Sequence, residues 1–196
     1  MDGALGDALN FLIRTLFDLY IIVVALRFLL QWVRADFYNP LSQFLVRATN
    51  PLLRPLRRII PGYGGIDFAS VILMLLLKAA EISILGLVAA GRIPAPLGLL
   101  VLSLAEVLRL LIYIFMFAII IQVVLSWVNP GAYNPATVLI YRLTEPLLEP
   151  ARRLIPPMGG LDFSPLVVLI LLQLTIILII RPLLQFGFSL SGFLML

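Results

Sequence analysis

The chain has 196 residues, of which 62% are hydrophobic and 12% are charged, whereas about 25% of the residues in a soluble domain are charged. This composition excludes an ordinary water-soluble domain and favours a protein whose solvent is the bilayer. The chain contains neither cysteine nor histidine, which excludes disulfides, thiol nucleophiles and the most common general base and metal ligand.

The net charge is +4. A basic chain can bind nucleic acid, but these arginines lie between apolar stretches, where they set membrane topology or contact lipid headgroups. We therefore predict no nucleic-acid contact, no metal site, no cofactor and no enzymatic activity.

Four apolar stretches cover residues 11–32, 68–90, 97–127 and 163–184. Each is at least as long as the ~20 residues that cross the hydrocarbon core, and the third is long enough to tilt or protrude. We predict an all-α membrane protein with four transmembrane helices.

The first apolar stretch is followed by a proline-punctuated motif at residues 37–68. Asn39 suits the N-cap position of a helix and Pro40 its first turn, whereas Pro51 is expected to end or kink that helix. A second short helix then places arginines opposite an apolar face, which is typical of a helix lying in the membrane interface. Its arginines are Arg54, Arg57 and Arg58.

The motif ends with two glycines and an aspartate. Gly64 and Gly65 allow the positive φ of a tight reversal, and Asp67 is placed to cap the membrane helix that follows. A Gly-Gly pair alone is a weak phosphate-binding signal, so we favour capping over ligand binding for Asp67.

Charged side chains also lie within the spans. Arg14 and Asp18 are four residues apart, and Lys78 and Glu81 are three apart, so each pair can meet on one helix face. Ionisable groups near the bilayer centre are costly and usually face the protein or water. Two interpretations stay open: neutralised pairs that hold helices together, or a polar pathway or substrate contact. The polar positions within the spans are Arg27, Lys78, Glu81, Gln122 and Gln173.

The second half of the chain repeats the first at a constant offset of 95 residues, a strong sign of internal duplication. We divide the chain into residues 1–95 and 96–196, with the second motif at 132–163. Two spans return the chain to its starting side, so the repeats are parallel rather than inverted. The second copies of the motif residues are Asn134, Pro135, Arg142, Arg152, Arg153, Gly159, Gly160 and Asp162.

Arginine distribution predicts the orientation. The positive-inside rule places short arginine-rich loops in the cytoplasm, so we expect both motifs on that side and both chain ends outside. Near an anionic surface each basic side chain contributes about 1 kcal/mol, so the motif arginines either anchor the topology or bind anionic lipid or a protein partner. They are Arg47, Arg54, Arg57, Arg58, Arg142, Arg152 and Arg153.

The doubled pattern Trp…Tyr-Asn-Pro…Pro-Leu-Leu-x-Pro-x-Arg-Arg-x-Ile-Pro…Gly-Gly-x-Asp-Phe resembles the YggT (YlmG) family of small bacterial and plastid membrane proteins. The resemblance covers nearly the whole chain and implies a non-enzymatic protein of the bacterial inner membrane. Bacterial members are linked to osmotic-stress tolerance and potassium uptake, and other relatives to division, nucleoid organisation or haem attachment to a membrane cytochrome. The family supplies no catalytic residues, and the lack of histidine and cysteine argues against direct haem ligation here.

Two functions compete. In the first, the protein is a membrane organiser or assembly factor whose arginine helices hold anionic lipids or other membrane proteins. In the second, it is an ion (potassium) permeation or transport component that uses the charges within the spans. Four spans leave little room for a pore, so the second function would require a homo-oligomer.

Overall fold

The computed structural model describes residues 3–129, 131, 133–155 and 162–192; Gly159 and Gly160 of the predicted second turn lie outside these residues. The described residues form seven α-helices and one π-helical segment. They are α1 (Ala4–Trp32), α2 (Pro40–Ile59), α3 (Phe68–Ala90), α4 (Pro96–Val128), α5 (Pro135–Leu154), α6 (Ser164–Thr175), the π-helical segment (Ile176–Ile180) and α7 (Arg181–Ser191).

Four helical stretches of the described chain are long and apolar enough to cross a membrane. They are α1, α3, α4 and the continuous stretch Ser164–Ser191, which joins α6, the π-helical segment and α7. The predicted all-α class with four spans is therefore confirmed. The π-helical segment comes just before Pro182. Proline has no backbone N–H, and the wider turn accommodates the carbonyl that is left without a donor.

The prediction of two short helices in each motif is wrong. α2 continues through Pro51 and Pro55, and α5 through Pro146 and Pro150. Pro51 leaves the Arg47 carbonyl without its helical donor, and α1 donates to the two carbonyls that flank it. The Tyr20 hydroxyl donates to the Ala48 carbonyl at 3.3 Å, and the Arg27 guanidinium donates to the Val46 carbonyl at 3.3 Å.

The main core lies where α1, α2, α3 and α4 meet. Its buried side chains come from both repeats, so the repeats share one core. They are Ile21, Val24, Ala25, Leu53, Ala69, Leu73, Met74 and Val107. A second cluster joins α1 to α5 through Leu30 and Leu139.

The spans have two distinct ends. At the motif end, α2 and α5 meet, and the Asn39 amide donates to the Pro135 carbonyl at 2.7 Å. At the link end, the Ala95 amide donates to the Ser191 carbonyl at 3.0 Å, which ties the short link between the repeats to the end of α7. There α4 and α7 approach backbone to backbone at Gly98.

Candidate functional site

Both motif helices begin at an Asn-Pro pair. The Asn39 side chain accepts from the Leu41 amide at 2.9 Å. The Asn134 side chain accepts from the amides of Ala136 and Thr137, each at 3.0 Å. These bonds satisfy orphan donors of the first helical turn, so both helices start at a fixed point.

Helix α2 presents three stripes along its length. One packs against the spans, one is exposed and basic, and one is exposed and apolar. The buried stripe is Ser42, Leu45, Thr49 and Leu53; the basic stripe is Arg47, Arg54 and Arg58; the apolar stripe is Leu41, Phe44 and Leu52. An arginine stripe beside an exposed apolar stripe suits a helix at the boundary between acyl chains and headgroups.

The two motif helices differ in charge. Helix α2 carries four arginines and no acidic residue, whereas α5 carries three arginines and two glutamates. Glu149 replaces Arg54 in the repeat and pairs with Arg153 at 2.5 Å. Between the described residues, no ion pair involves the basic stripe of α2. Arg142 is exposed, but the strongest uncompensated positive charge lies on α2.

One arginine of each motif is held by the aspartate that follows it. Arg57 donates to the carboxylate of Asp67, which also accepts from the Ser70 hydroxyl at 2.5 Å. In the second repeat Arg152 donates to Asp162 at 2.9 Å. Each pair joins the end of a motif helix to the start of the next span, so Arg57 and Arg152 fix the fold of the motif.

The pKa of the Asp67 carboxyl reflects this contact. Burial raises the pKa, but the bonds from Arg57 and Ser70 outweigh burial and hold it below its usual value. The same balance, with Arg152 and Ser164, lowers the pKa of Asp162. Asp67 occupies the N-cap position of α3 without a side-chain bond to the helix backbone, whereas Asp162 accepts from the Ser164 amide at 2.9 Å.

We expect protonation of Asp67 to lower the stability of the folded protein at acidic pH. Because its pKa is lower in the folded protein, its contribution is present above the unfolded value of 3.8 and is lost as the pH falls through the folded value. The melting temperature of the wild type should exceed that of Asp67→Asn at pH 7, and the difference should shrink between about pH 5 and 3. Asp36→Asn, at an exposed carboxylate, is the control, and parallel curves for wild type and Asp67→Asn would contradict the prediction.

The polar residues Arg27 and Gln122 hold the motif helices to the spans. The Arg27 guanidinium donates to the Thr49 hydroxyl at 2.5 Å and to the Asn50 side chain at 3.0 Å. In the second repeat the Thr144 hydroxyl donates to the Gln122 side chain. Both contacts face a motif helix, so neither residue lies on the polar crevice described below.

The first Gly-Gly turn closes on itself. Gly64 and Gly65 have φ values of 62° and 84°, and Tyr63 and Ile66 exchange backbone hydrogen bonds at 3.2 and 3.1 Å. Positive φ at both central residues is the geometry of a type I′ turn, which reverses the chain before α3.

A second polar site surrounds Lys78 within the spans. Its ammonium lies 2.6 Å from a carboxylate oxygen of Asp18 and 2.6 Å from one of Glu81. Lys78 and Glu81 are only 6% and 5% exposed. The predicted Lys78–Glu81 pair is present, but Asp18 pairs with Lys78 on the neighbouring span rather than with Arg14.

These groups line a crevice of about 550 Å³ between α1, α3, α4 and α7. Three acidic and three basic side chains line it, so its charges balance, and the other lining residues are mostly apolar. They are Arg14, Asp18, Lys78, Glu81, Glu106 and Arg109. Gln173, which the sequence grouped with Lys78, is exposed on α6 and is not among the lining residues.

The crevice occupies the link half of the spans. Its lining residues reach Ile22, Lys78 and Tyr113, and the apolar core cluster around Val24 and Met74 lies between this depth and the motif helices. The crevice therefore lies on the link side of this cluster, and no residue of the motif helices lines it.

The comparison with known families agrees with the repeated geometry. The family model described as CCB3/YggT matches twice, at residues 6–88 and 101–183, and these segments begin 95 residues apart, the offset of the sequence repeat. The chain belongs to the CCB3/YggT family. No solved structure matches it.

Several YggT-family relatives are similar over most of their length. The protein named PA0392, from Pseudomonas aeruginosa, is 51% identical over 183 residues, or 91% of each chain. A Vibrio alginolyticus protein named for the proC 3′ region is 45% identical over 85% of this chain and 90% of its own. The Escherichia coli K12 protein named YggT is 40% identical over 85% and 86%. Each of these names includes the word "uncharacterized".

Sequence reasoning missed the partners of several residues in this YggT-family chain. The repeat preserves Arg57, Arg58 and Asp67 as Arg152, Arg153 and Asp162, which indicates a contact between an arginine and the aspartate without identifying which arginine makes it. The contact of Lys78 with Asp18 crosses 60 positions and has no counterpart in the second repeat, where Gln173 replaces Lys78.

Proposed function

We propose that this protein is a non-enzymatic organiser or assembly factor of the bacterial inner membrane, and that α2 binds anionic lipid headgroups. The observation that carries the proposal is the basic stripe of Arg47, Arg54 and Arg58, which is exposed and has no ion-pair partner between the described residues. In α5, Arg153, which is equivalent to Arg58, is partly neutralised by Glu149. A rigid helix with free guanidinium groups is suited to phosphate, which arginine binds through paired donors.

The charge distribution supports an orientation for this proposal. The motif end carries the arginine helices, so the positive-inside rule places that end in the cytoplasm and both chain ends outside. The anionic lipid of the inner leaflet would then face α2. Loss of this organising role would weaken the membrane under osmotic stress, as the family resemblance implies.

Exchanging the charges of α2 and α5 tests the proposal. Arg54→Glu gives α2 the charge that α5 has at the equivalent position, and Glu149→Arg gives α5 the charge that α2 has there; both positions are exposed. Each variant changes the local charge by two units, so at about 1 kcal/mol per charge the preference for anionic over neutral lipid should fall about 30-fold in the first and rise about 30-fold in the second.

Brominated lipids provide the measurement. Trp32 and Trp127 end the spans at the motif end, so quenching by brominated phosphatidylglycerol relative to brominated phosphatidylcholine reports lipid exchange there. Arg181→Glu makes the same charge change at an exposed site far from the motif and should leave quenching unchanged. Equal quenching in wild type, Arg54→Glu and Glu149→Arg would refute lipid binding by α2.

The crevice favours a second candidate, an ion permeation component. Its six charged side chains and its volume of about 550 Å³ would provide half of a pathway for a cation such as potassium. We rank it second because the acidic groups are already paired with Lys78 and Arg109, and because the apolar core closes the other half.

A further inference from the structure

The two repeats contact each other through one specific arrangement at the motif end. The first span of repeat 1, α1, packs against the motif helix of repeat 2, α5. Leu30 and Leu139 share one buried cluster, and Leu29 and Leu143 share another. The Asn39–Pro135 hydrogen bond lies beside these contacts.

The reciprocal contact is missing within the chain. A closed twofold relation between the repeats would also place α4 against α2. Among the described residues the backbones of these two helices do not approach each other, although Leu53 of α2 and Val107 of α4 belong to one core cluster. Of the four residues equivalent to the α1–α5 contact, Ala48 and Leu125 are half-buried and the other two are exposed. Phe44, equivalent to Leu139, is 62% exposed, and Val124, equivalent to Leu29, is 52% exposed.

A second face shows the same mismatch. On α4, Val107 is buried in the core, and Leu111 and Ile114 pack against it. Their equivalents on α1 form an exposed row at the same helical spacing. These residues are Leu12, Leu16 and Leu19.

We propose that a second copy of this chain covers these faces, with the repeat-to-repeat interface continued from one chain to the next. In this arrangement, the rotation and translation that superimpose repeat 1 on repeat 2 also superimpose repeat 2 on repeat 1 of the next copy. It places α4 of one copy on α2 of the next, with Leu125 near Phe44 and Val124 near Ala48. The same rotation and translation place the exposed row of Leu12, Leu16 and Leu19 on α1 of the next copy against the fourth span, Ser164–Ser191, of the first.

This interface is heterologous, because different surfaces of the two copies meet. Such contacts build rings when the rotation closes and open chains when it does not. The exposed side chain of Asn134 is equivalent to Asn39 and would reach Pro40 of the second copy. The apolar stripe of α2 would be covered near its start, and the basic stripe would stay at the surface, so an assembly would line up one arginine stripe per copy.

The lack of cysteine allows a direct test by thiol crosslinking in native membranes. In Phe44→Cys/Leu125→Cys, a bifunctional maleimide should give a ladder of dimers and larger multiples on a denaturing gel. Neither single variant should crosslink, whereas co-expression of the two single variants should give dimers only. Ala48→Cys/Val124→Cys is an independent second pair with the same expectation.

The internal interface supplies the matched control. Leu30→Cys/Leu139→Cys occupies the equivalent positions within one chain and should crosslink without an increase in mass. If this control crosslinks and neither Phe44→Cys/Leu125→Cys nor Ala48→Cys/Val124→Cys joins two chains, lipid covers these faces and the proposal is refuted. Dimers from Phe44→Cys alone would indicate a symmetric interface and would also refute it.

Discussion

Replacement of Lys78 by methionine is expected to lower the free energy of unfolding by about 3–5 kcal/mol, the usual cost of removing one partner from a buried ion pair. Lys78 is the shared partner of Asp18 and Glu81, and Glu81 is 5% exposed. Methionine would leave this carboxylate buried without a positive charge. Unfolding by SDS in mixed micelles measures the loss.

The double variant Lys78→Met/Glu81→Met separates the charge from the side-chain volume. It removes both buried groups, and the Asp18 side chain, which is 46% exposed and lines the crevice, is not enclosed by protein. Its stability should return close to that of the wild type, because well-packed apolar replacements of a buried pair are often neutral. A double variant as unstable as Lys78→Met would show that the pair is not the source of the loss.

The same double variant discriminates between the two candidate functions. The organiser needs no charge in the crevice, so proteoliposomes with wild type or with Lys78→Met/Glu81→Met should show the same potassium flux as empty liposomes. Flux above that background in the wild type, and its loss in the folded double variant, would favour the permeation function.

The second large effect is expected at Gly98, where alanine should cost about 3 kcal/mol of stability, the upper part of the usual range for overpacking. A Cβ atom there would lie 2.7 Å from the carbonyl carbon of Leu190 and closer still to backbone atoms of Ser191. Small residues allow such close approach of membrane helices. Because backbone atoms cannot rotate away, α4 and α7 would have to separate.

Gly187→Ala introduces a milder steric clash between the same two helices and serves as the comparison for this prediction. Its Cβ atom would lie 2.9 Å from the Leu102 side chain, which can change rotamer. We expect a loss of about 1 kcal/mol in the same SDS unfolding measurement. Equal losses for Gly98→Ala and Gly187→Ala would contradict the close approach of the α4 and α7 backbones.

Features set by local sequence could be predicted. Apolar length determines the spans, and the Asn39-Pro40 pair determines where α2 begins, because both depend on neighbouring residues. The continuity of α2 through Pro51 could not be predicted from neighbouring residues. The contacts of Tyr20 and Arg27 with the carbonyls of Ala48 and Val46, which hold this turn of α2 to α1, span at least 19 positions of the sequence.

The candidate site was predictable in composition but not in arrangement. The repeat offset places Lys78 and Gln173 at the same depth, but depth does not determine which way a side chain faces on its helix. Arg57 could not be distinguished from Arg58 as the partner of Asp67. The arginines of α2 that have no ion-pair partner can therefore be identified only from the contacts in the structure.

The contact between Lys78 and Asp18 also has a consequence for biogenesis. During synthesis α1 enters the membrane before α3, and a charged side chain near the centre of an isolated span opposes its insertion. Asp18 gives Lys78 a counter-charge already within the bilayer, so the first two spans would leave the translocon as a hairpin. The fourth span has the uncharged Gln173 at the equivalent position and does not depend on such a partner to enter the lipid.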